Sequence, residues 1–224
     1  MDRCEIHSHT MYSNIRLLDS INRPEALIDR AIELGLKGIC ITDHDCLSSH
    51  ISVNMYADKV KDKIKVGLGN EIYLCGNRGT QQDYYHFILI AKDKIGHKQL
   101  RRLSSRAWML SFHDRGMERV VTTYDELTAI IKEEPGHLIA TTACIGGELS
   151  KTTLALCEAE LMDNQLGAKK AHQHIVNFVL WCKEMFGADF YIEVAPATGK
   201  EQIMVNTRLA AIAKAFEVKI VIGS

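Results

Sequence analysis

The chain has 224 residues and a net charge of −1, with 27 Lys and Arg against 28 Asp and Glu, so its overall charge favours no particular class of partner. Hydrophobic residues make up 46% of the sequence, which is typical of a globular protein that buries its core without disulfides. The seven cysteines form no C-x-x-C pair and follow no secretory signal, and no apolar stretch has membrane-spanning length. These features exclude a disulfide scaffold and a membrane protein, and they favour the cytoplasm.

Strands and helices alternate along the first half of the chain. The runs that predict strands are 4–9, 38–42, 64–68 continuing into 71–74, and 85–91. One helix is predicted to begin near Pro24, and two more are predicted over 48–60 and 97–112. We expect Asn22 to cap the first helix, with Pro24 in its first turn, and Gly35 to end it.

The second half continues this alternation. Thr123 and Glu126 have capping-box spacing, which predicts a helix over 123–133. Further strands are predicted at 137–141, 189–194 and 218–222, and further helices at about 164–186 and at 200–216. About seven strands separated by helices predict an α/β fold with a parallel sheet and right-handed crossovers, closed into a barrel. Because the sequence stops as the last strand enters its loop, we expect 1–224 to be one domain of a longer protein.

Residues with metal-ligand chemistry stand at the ends of the predicted strands. His7 and His9 are two residues apart on an extended segment, so their side chains point the same way and can bind one cation together. Asp43 and His44 follow the second strand and can reach the same cation. The remaining candidates are Asp19 after the first strand, Glu71 in the third, His86 at the start of the fourth and Cys144 after the fifth.

These side chains suit a cluster of ions. Histidine, carboxylate and thiolate are the usual ligands of Zn²⁺, and histidine with carboxylate also suits Mn²⁺ or Fe. With Asp43 left aside, the candidates are too many for one tetrahedral ion and are enough for two or three ions that share Glu71 as a bridge. Such ions clamp a phosphoryl group and activate water, so the pattern predicts hydrolysis of a phosphate ester. No P-loop, nucleophile-elbow or dinucleotide-binding motif competes with this interpretation.

The ordinary roles of the same residue types are the alternative. A single histidine is most often a core or surface residue, and a free cysteine is usually a small hydrophobe. We interpret six histidines in this way, namely His50, His97, His113, His137, His172 and His174. The basic window 92–106 fits a solvated helix face at least as well as a track of phosphate contacts.

Six short blocks then occur in order along the chain. They are 7–10 (HSHT), 41–44 (ITDH), 69–73 (GNEIY), 85–92 (YHFILIAK), 138–149 (LIATTACIGGEL) and 190–194 (FYIEV). Together they resemble the PHP (polymerase and histidinol phosphatase) superfamily, and in particular the amino-terminal PHP domain of bacterial and phage-type DNA polymerase III alpha subunits. The resemblance spans nearly the whole chain.

The resemblance implies a distorted (β/α)7 TIM-like barrel that binds two to three divalent ions, Zn, Mn or Fe. His7, His9 and Glu71 are then expected to act in catalysis through these ions, and Asp43 is expected to orient a neighbouring ligand. The family's metal ligands correspond to His7, His9, Asp19, His44, Glu71, His86 and Cys144. The family pattern ends with Asp-x-His after a strand that resembles 218–224, and this sequence stops before it.

The resemblance also implies an activity and partners. Active members remove nucleotides from a DNA 3′ end as a 3′–5′ proofreading exonuclease, and the parent chain is a DNA-directed DNA polymerase. The expected partners are a DNA 3′ end, the remaining polymerase domains and replisome subunits. Two alternatives stay open: a non-catalytic metal-binding domain that supports the polymerase core, and a free-standing PHP phosphatase.

Overall fold

The computed structural model describes residues 3–15, 20–79, 83–196 and 199–223. The strands in these ranges are β1 (Cys4–Ser8), β2 (Gly38–Ile41), β3 (Lys65–Cys75), β4 (Tyr85–Ala91), β5 (Phe112–Asp114), β6 (Met117–Arg119), β7 (Val121–Thr123), β8 (Leu138–Thr141), β9 (Phe190–Val194) and β10 (Lys219–Ile222). The α-helices there are α1 (Pro24–Glu33), α2 (His50–Val60), α3 (Lys94–Met109), α4 (Tyr124–Glu133), α5 (Glu148–Leu161), α6 (Gln165–Phe186) and α7 (Lys200–Ala215). Short 3₁₀ turns occur at Met11–Ile15 and Gly187–Asp189.

The main sheet confirms the predicted α/β barrel. Seven strands lie in the order β1-β2-β3-β4-β8-β9-β10, and β7 pairs with the end of β3. The two ends of this order approach each other, because His7 on β1 contacts Glu193 on β9. The sheet is therefore curled into a nearly closed barrel, with helices packed against its outer surface.

The predicted all-parallel sheet is wrong at one strand. β4 runs antiparallel to both of its neighbours, β3 and β8. The cause is the connection between β3 and β4, which is too short for a crossover helix, and strands joined in this way pair antiparallel. The start of β4 consequently lies at the same barrel edge as the carboxyl ends of β1, β2 and β8.

The two faces of the barrel strands carry different residues. On β4, Phe87 and Leu89 pack in the large core against helices, while Ile88 and Ile90 pack with Ile139 of β8. The apolar cluster that contains Ile88 and Ile90 also includes residues of β1 and β2, so this cluster fills the barrel interior. Because side chains alternate along a strand, the inner face continues toward the barrel edge with polar residues, namely Glu71 and Tyr73 on β3, His86 on β4, Thr141 on β8 and Glu193 on β9.

The helix ends confirm part of the sequence prediction. Thr123 and Glu126 form the predicted capping box of α4, and Gly35 has the left-handed conformation (φ +68°) that ends α1. The prediction that Asn22 caps α1 is wrong, because Arg23 occupies the N-cap position and makes no side-chain cap hydrogen bond.

The predicted helix over 97–112 also needs correction. α3 begins earlier, at Lys94, where the Asp93 side chain caps it, and it ends at Met109. Phe112 instead starts β5, which pairs with β6 across a turn at Arg115 and Gly116. Both turn residues have positive φ, 52° and 75°, as a two-residue hairpin turn requires. Among the described helices, none combines the length and the apolar composition that a membrane crossing requires.

Candidate metal centre

Glu71 is the centre of a cluster of imidazoles at the carboxyl-end edge of the barrel. Its side chain is buried, with 1% of its surface exposed. Oε2 of Glu71 lies 3.3 Å from Nε2 of His7, 3.0 Å from Nε2 of His9 and 3.3 Å from Nε2 of His44. Oε1 lies 2.9 Å from Nδ1 of His86. One carboxylate therefore faces four imidazoles from three different segments of the chain.

These residues form two groups that have the spacing of metal ligands. The first group is His7, His9 and Glu71, and the second is His44, Glu71 and His86. In each group one ligand atom per residue lies within 4.8 Å of the others. The groups adjoin, because the rings of His9 and His44 are stacked with their centroids 4.6 Å apart. Glu71 is the member that both groups share.

Aromatic and sulfur atoms border the second group. Tyr73 lies on the same face of β3 as Glu71, and its ring packs against His44 (5.8 Å between centroids) and His86 (4.8 Å). Sγ of Cys144 lies 3.4 Å from Nδ1 of His86 and accepts a hydrogen bond from the Gly146 amide. Cys144 therefore stands beside the second group, within reach of the same imidazole.

Asp43 lies behind the imidazoles and contacts the loops that carry them. Its carboxylate accepts hydrogen bonds from the amide and hydroxyl of Thr10 and from the hydroxyls of Ser13 and Ser49. Since Ser13 donates to Asp43, its oxygen is free to accept from Nδ1–H of His9, 3.0 Å away. This chain of hydrogen bonds directs Nε2 of His9 toward Glu71. It is the geometry expected of a residue that orients a ligand, and this role of Asp43 stays a prediction.

Two residues next to the cluster adopt the left-handed backbone region although they are not glycine. Asp45 (φ 58°) follows His44, and Ala143 (φ 56°) precedes Cys144. This conformation is unfavourable for residues with a Cβ and is concentrated at functional sites. The loops after β2 and β8 thus hold backbone strain where they present His44 and Cys144.

The carboxylates control the protonation of the cluster. Burial opposes the charged form of His7, but hydrogen bonds to Glu193 and Glu71 outweigh it and raise the pKa of His7 to about 11. Burial also opposes the charged form of His86, yet Cys144 and Glu71 raise the pKa of that imidazole to about 10. Burial disfavours the Glu71 carboxylate, whereas His7, His86 and His9 together hold its pKa well below the usual range. The carboxylates therefore favour positive charge within the cluster.

The donor set fits divalent metal ions. Imidazole nitrogens, a bridging carboxylate and a thiol are the ligands that Zn²⁺, Mn²⁺ and Fe use in proteins. Within the described part of the chain, Oε1 of the buried Glu71 faces Nδ1 of His86 at 2.9 Å but accepts no well-aligned hydrogen bond, and a buried oxygen in this state is stabilised further by a bound cation. The geometry therefore supports binding of divalent ions.

A comparison with protein families matches the PHP domain model to residues 5–197. The chain belongs to the PHP domain family. The matched region includes both His/Glu groups and Cys144, together with the strands that carry them.

The relatives of this PHP domain are DNA polymerases. It is 38% identical over 231 aligned residues to "Probable DNA polymerase YorL" of Bacillus subtilis, covering 96% of this chain and 18% of the relative. It is 33% identical over 211 residues to the DNA polymerase III subunit alpha of Borreliella burgdorferi, covering 91% of this chain and 16% of the relative. The chain thus spans less than a fifth of the length of these curated relatives.

A solved structure supports the fold. An amidohydrolase from Chromobacterium violaceum, determined with bound sulfate and no metal, matches this PHP domain with a TM-score of 0.54 and 14% identity. The match covers 99% of this chain and 86% of the other. At this low identity the likeness concerns the barrel fold alone.

The structure brings most of the sequence-predicted site residues together. His7, His9, His44, Glu71 and His86 form the two groups, with Cys144 and Asp43 in contact with their members. Asp19 lies outside the described residues. None of the six histidines interpreted as ordinary core or surface residues belongs to either group within the described chain. His50, for example, is buried, where its Nε2–H donates to the Gly69 carbonyl, and desolvation lowers its pKa to about 4.

Glu193 lies beside the first group and is not among the site residues predicted from the sequence. Its Oε1 accepts a hydrogen bond of 2.7 Å from Nδ1 of His7. The available signal was an acid inside an apolar strand, on the face opposite to the core residue Ile192. From the sequence alone, an acid in this position is equally compatible with a solvent-exposed side chain. Its partner on a distant strand is needed to assign it to the site.

Two arginines of α3 are paired with acids. Arg102 forms an ion pair with Glu133, and Arg106 forms one with Glu126. Both partners lie on α4, so these arginines connect two helices on the outside of the barrel. This pairing favours the interpretation of a solvated helix face.

Proposed function

We propose that this PHP domain is a metal-dependent phosphoesterase that hydrolyses the terminal phosphodiester at a DNA 3′ end, as part of a replicative DNA polymerase. The observation that carries the proposal is the pair of ligand groups joined by the buried carboxylate of Glu71. Two or three divalent ions held there would clamp a phosphoryl group and supply activated water. No protein nucleophile is required for that chemistry.

The chain's own residues prepare the site for a phosphate. Glu71 bridges the two groups, while His7 and His44 are largely buried and fix the inner side of the cluster. His9 and His86 are partly exposed, with 19% and 21% of their side-chain surface accessible. A substrate phosphate can therefore approach the cluster from the side on which His9 and His86 lie.

The relatives support the choice of substrate. They are named DNA polymerases, one of them the alpha subunit of DNA polymerase III. A hydrolytic site on the same chain as a polymerase is suited to removing a misincorporated 3′ nucleotide. On this basis we propose a DNA 3′ terminus as substrate, the remaining polymerase domains and replisome subunits as partners, and the cytoplasm as location.

A primer-shortening assay tests the proposal. A 3′-labelled primer with a mismatched terminus is incubated with the protein and Mn²⁺ or Zn²⁺, and we expect the primer to shorten. His9→Ala should abolish shortening, because His9 belongs to the first group. His172→Ala is the matched control, since His172 is exposed on α6 and outside both groups.

The outcomes separate the candidate functions. A primer that stays intact with every metal, while the protein retains bound ions, would favour the non-catalytic metal-binding domain. Cleavage of small phosphomonoesters with no action on the primer would favour a phosphatase. Shortening that persists undiminished in His9→Ala would show that another site performs the reaction.

A further inference from the structure

Glu193 is a buried acid on the inner face of β9, with 2% of its surface exposed. Both of its carboxylate oxygens have partners from other strands. Oε1 accepts from Nδ1 of His7 on β1 at 2.7 Å, and Oε2 accepts from the hydroxyl of Thr141 on β8 at 2.6 Å. The carboxylate is therefore held at two points between three strands.

The hydrogen bond to Glu193 determines which nitrogen of His7 faces the cluster. An ionised carboxylate only accepts hydrogen bonds, so Nδ1 of His7 carries the proton. The other nitrogen, Nε2, is then directed toward Nε2 of His9 (3.0 Å) and Oε2 of Glu71 (3.3 Å). A carboxylate in this position fixes the ring orientation of a ligating histidine and increases its strength as a donor.

We propose that Glu193 is a positioning residue, which holds His7 with Nε2 toward the metal centre and thereby sets the affinity of the His7–His9–Glu71 group for a divalent ion. This inference rests on the proposed metal centre. The hydrogen bond that joins Glu193 to the ligand groups goes to His7. The effect of Glu193 reaches the metal only through His7.

Gly223 restricts the position of the Glu193 carboxylate. A Cβ at residue 223 would lie only 2.1 Å from Oε1 of Glu193, so only glycine leaves room for the carboxylate where it meets His7. The backbone at Gly223 is tied to β9, because its amide donates to the Val194 carbonyl. Gly223→Ala should therefore displace the Glu193 side chain from His7 without changing any charge.

Glu148 offers a matched control. It is likewise buried, and it likewise accepts a hydrogen bond from a histidine, at 2.6 Å from Nε2 of His174. Its second partner is the Tyr124 hydroxyl. His174 lies on α6 outside both ligand groups, so Glu148→Gln makes the same chemical change away from the centre.

The experiment measures the dissociation constant of Zn²⁺ by chelator competition in the parent protein and in Glu193→Gln, Gly223→Ala and Glu148→Gln. We expect Glu193→Gln and Gly223→Ala to weaken binding by about tenfold or more, and Glu148→Gln to change it by less than about twofold. Glutamine keeps an acceptor oxygen for His7, so the loss in Glu193→Gln reports the carboxylate charge. If Glu193→Gln does not fold by circular dichroism, Gly223→Ala carries the test.

A double-mutant cycle separates positioning from a general structural role. In a His7→Ala background, Glu193→Gln should weaken Zn²⁺ binding no further, because its effect passes through His7. An equal loss in both backgrounds would overturn the inference, as would unchanged affinity in folded Glu193→Gln or, where that variant does not fold, in Gly223→Ala. A parent protein that binds no Zn²⁺ would overturn the proposed metal centre as well, whereas a parent that binds and variants that bind equally well would overturn only the role of Glu193.

Discussion

Nδ1 of His86 lies 2.9 Å from Oε1 of Glu71, although His86 stands near the start of its strand and Glu71 lies in the interior of its own. Antiparallel pairing brings them together. Tyr73 on β3 is opposite His86, and Glu71 is two residues away on the same face. The one reversed strand of the barrel thus delivers a histidine from its amino end to the edge where the other strands deliver ligands from their carboxyl ends.

The two ligand groups should lose their ions separately. His86→Ala removes an imidazole from the second group only, so we expect the protein to retain less metal than the parent while the first group stays loaded. Metal content per chain after dialysis measures this, with His172→Ala as the control that should match the parent. Equal metal content in His86→Ala and the parent would contradict the assignment of His86 as a ligand.

In the metal-free protein, stability should fall as the pH rises above neutrality. The pKa of His7 is raised from 6.5 to about 11 and that of His86 from 6.5 to about 10. A group with a raised folded pKa stabilises the fold fully below its unfolded pKa, and this contribution is lost as the pH rises through the folded value. We therefore expect the free energy of unfolding in chelator to decrease between pH 6.5 and about 10.

Urea denaturation in chelator, followed across that range, measures the effect. Saturating Zn²⁺ should reduce the pH dependence, because a bound cation replaces the protons. His7→Gln should also have a smaller pH dependence than the parent. A free energy of unfolding that increases from pH 6.5 to 10 in chelator would contradict the charged imidazole network.

Asp43→Asn should destabilise the fold and loosen the cluster. The Asp43 carboxylate accepts from Thr10, Ser13 and Ser49, and an amide would turn a donor toward these hydroxyls. Unsatisfied buried partners of this kind cost about 1–3 kcal/mol. Urea denaturation should show a loss of that size, while Asp62→Asn at an exposed position should change stability by less than about 0.5 kcal/mol. A loss no larger than that of Asp62→Asn would show that Asp43 does not hold these loops.

Much of the cluster could be predicted from sequence because its signals are local. His7 and His9 are two residues apart, His44 follows the end of a strand that can be recognised from its apolar run, and Glu71 lies within the next strand, toward the same barrel edge. In a closed barrel all such ends lie near one another, so the convergence follows from the fold class. The position of Cys144 near the cluster can be predicted in the same way, because Cys144 follows the carboxyl end of β8.

The remainder depends on long-range contacts that a sequence pattern does not contain. The His7–Glu193 hydrogen bond joins residues 186 positions apart, and only the curvature of the barrel makes β1 and β9 neighbours. The direction of β4 depends on the short connection between β3 and β4. The apolar run of β4 itself is compatible with either direction. The predicted helix over 97–112 extends past the end of α3 at Met109 and includes Phe112, the first residue of β5, and no strand is predicted over 113–119.

The capping box of α4 should confer acid sensitivity. Burial opposes the charged form of Glu126, but Arg78, the Thr123 amide and Arg106 lower the pKa of Glu126 from 4.5 to about 2. A group with a lowered pKa stabilises the fold above its unfolded pKa, and the contribution is lost as the pH falls through the folded value. We expect the thermal midpoint to drop between pH 4.5 and about 2, and to drop less in Glu126→Gln. Identical acid profiles for the two proteins would contradict this role.

We predict that the buried carboxylate of Glu71 bridges two metal sites. The most direct measurement is anomalous scattering from crystals of the protein soaked with Mn²⁺. We expect two peaks on either side of Glu71, one among His7, His9 and Glu71 and one among His44, Glu71 and His86, each within coordination distance of its ligand atoms. Absence of any peak within bonding distance of Glu71, in crystals that bind Mn²⁺ elsewhere, would contradict this prediction.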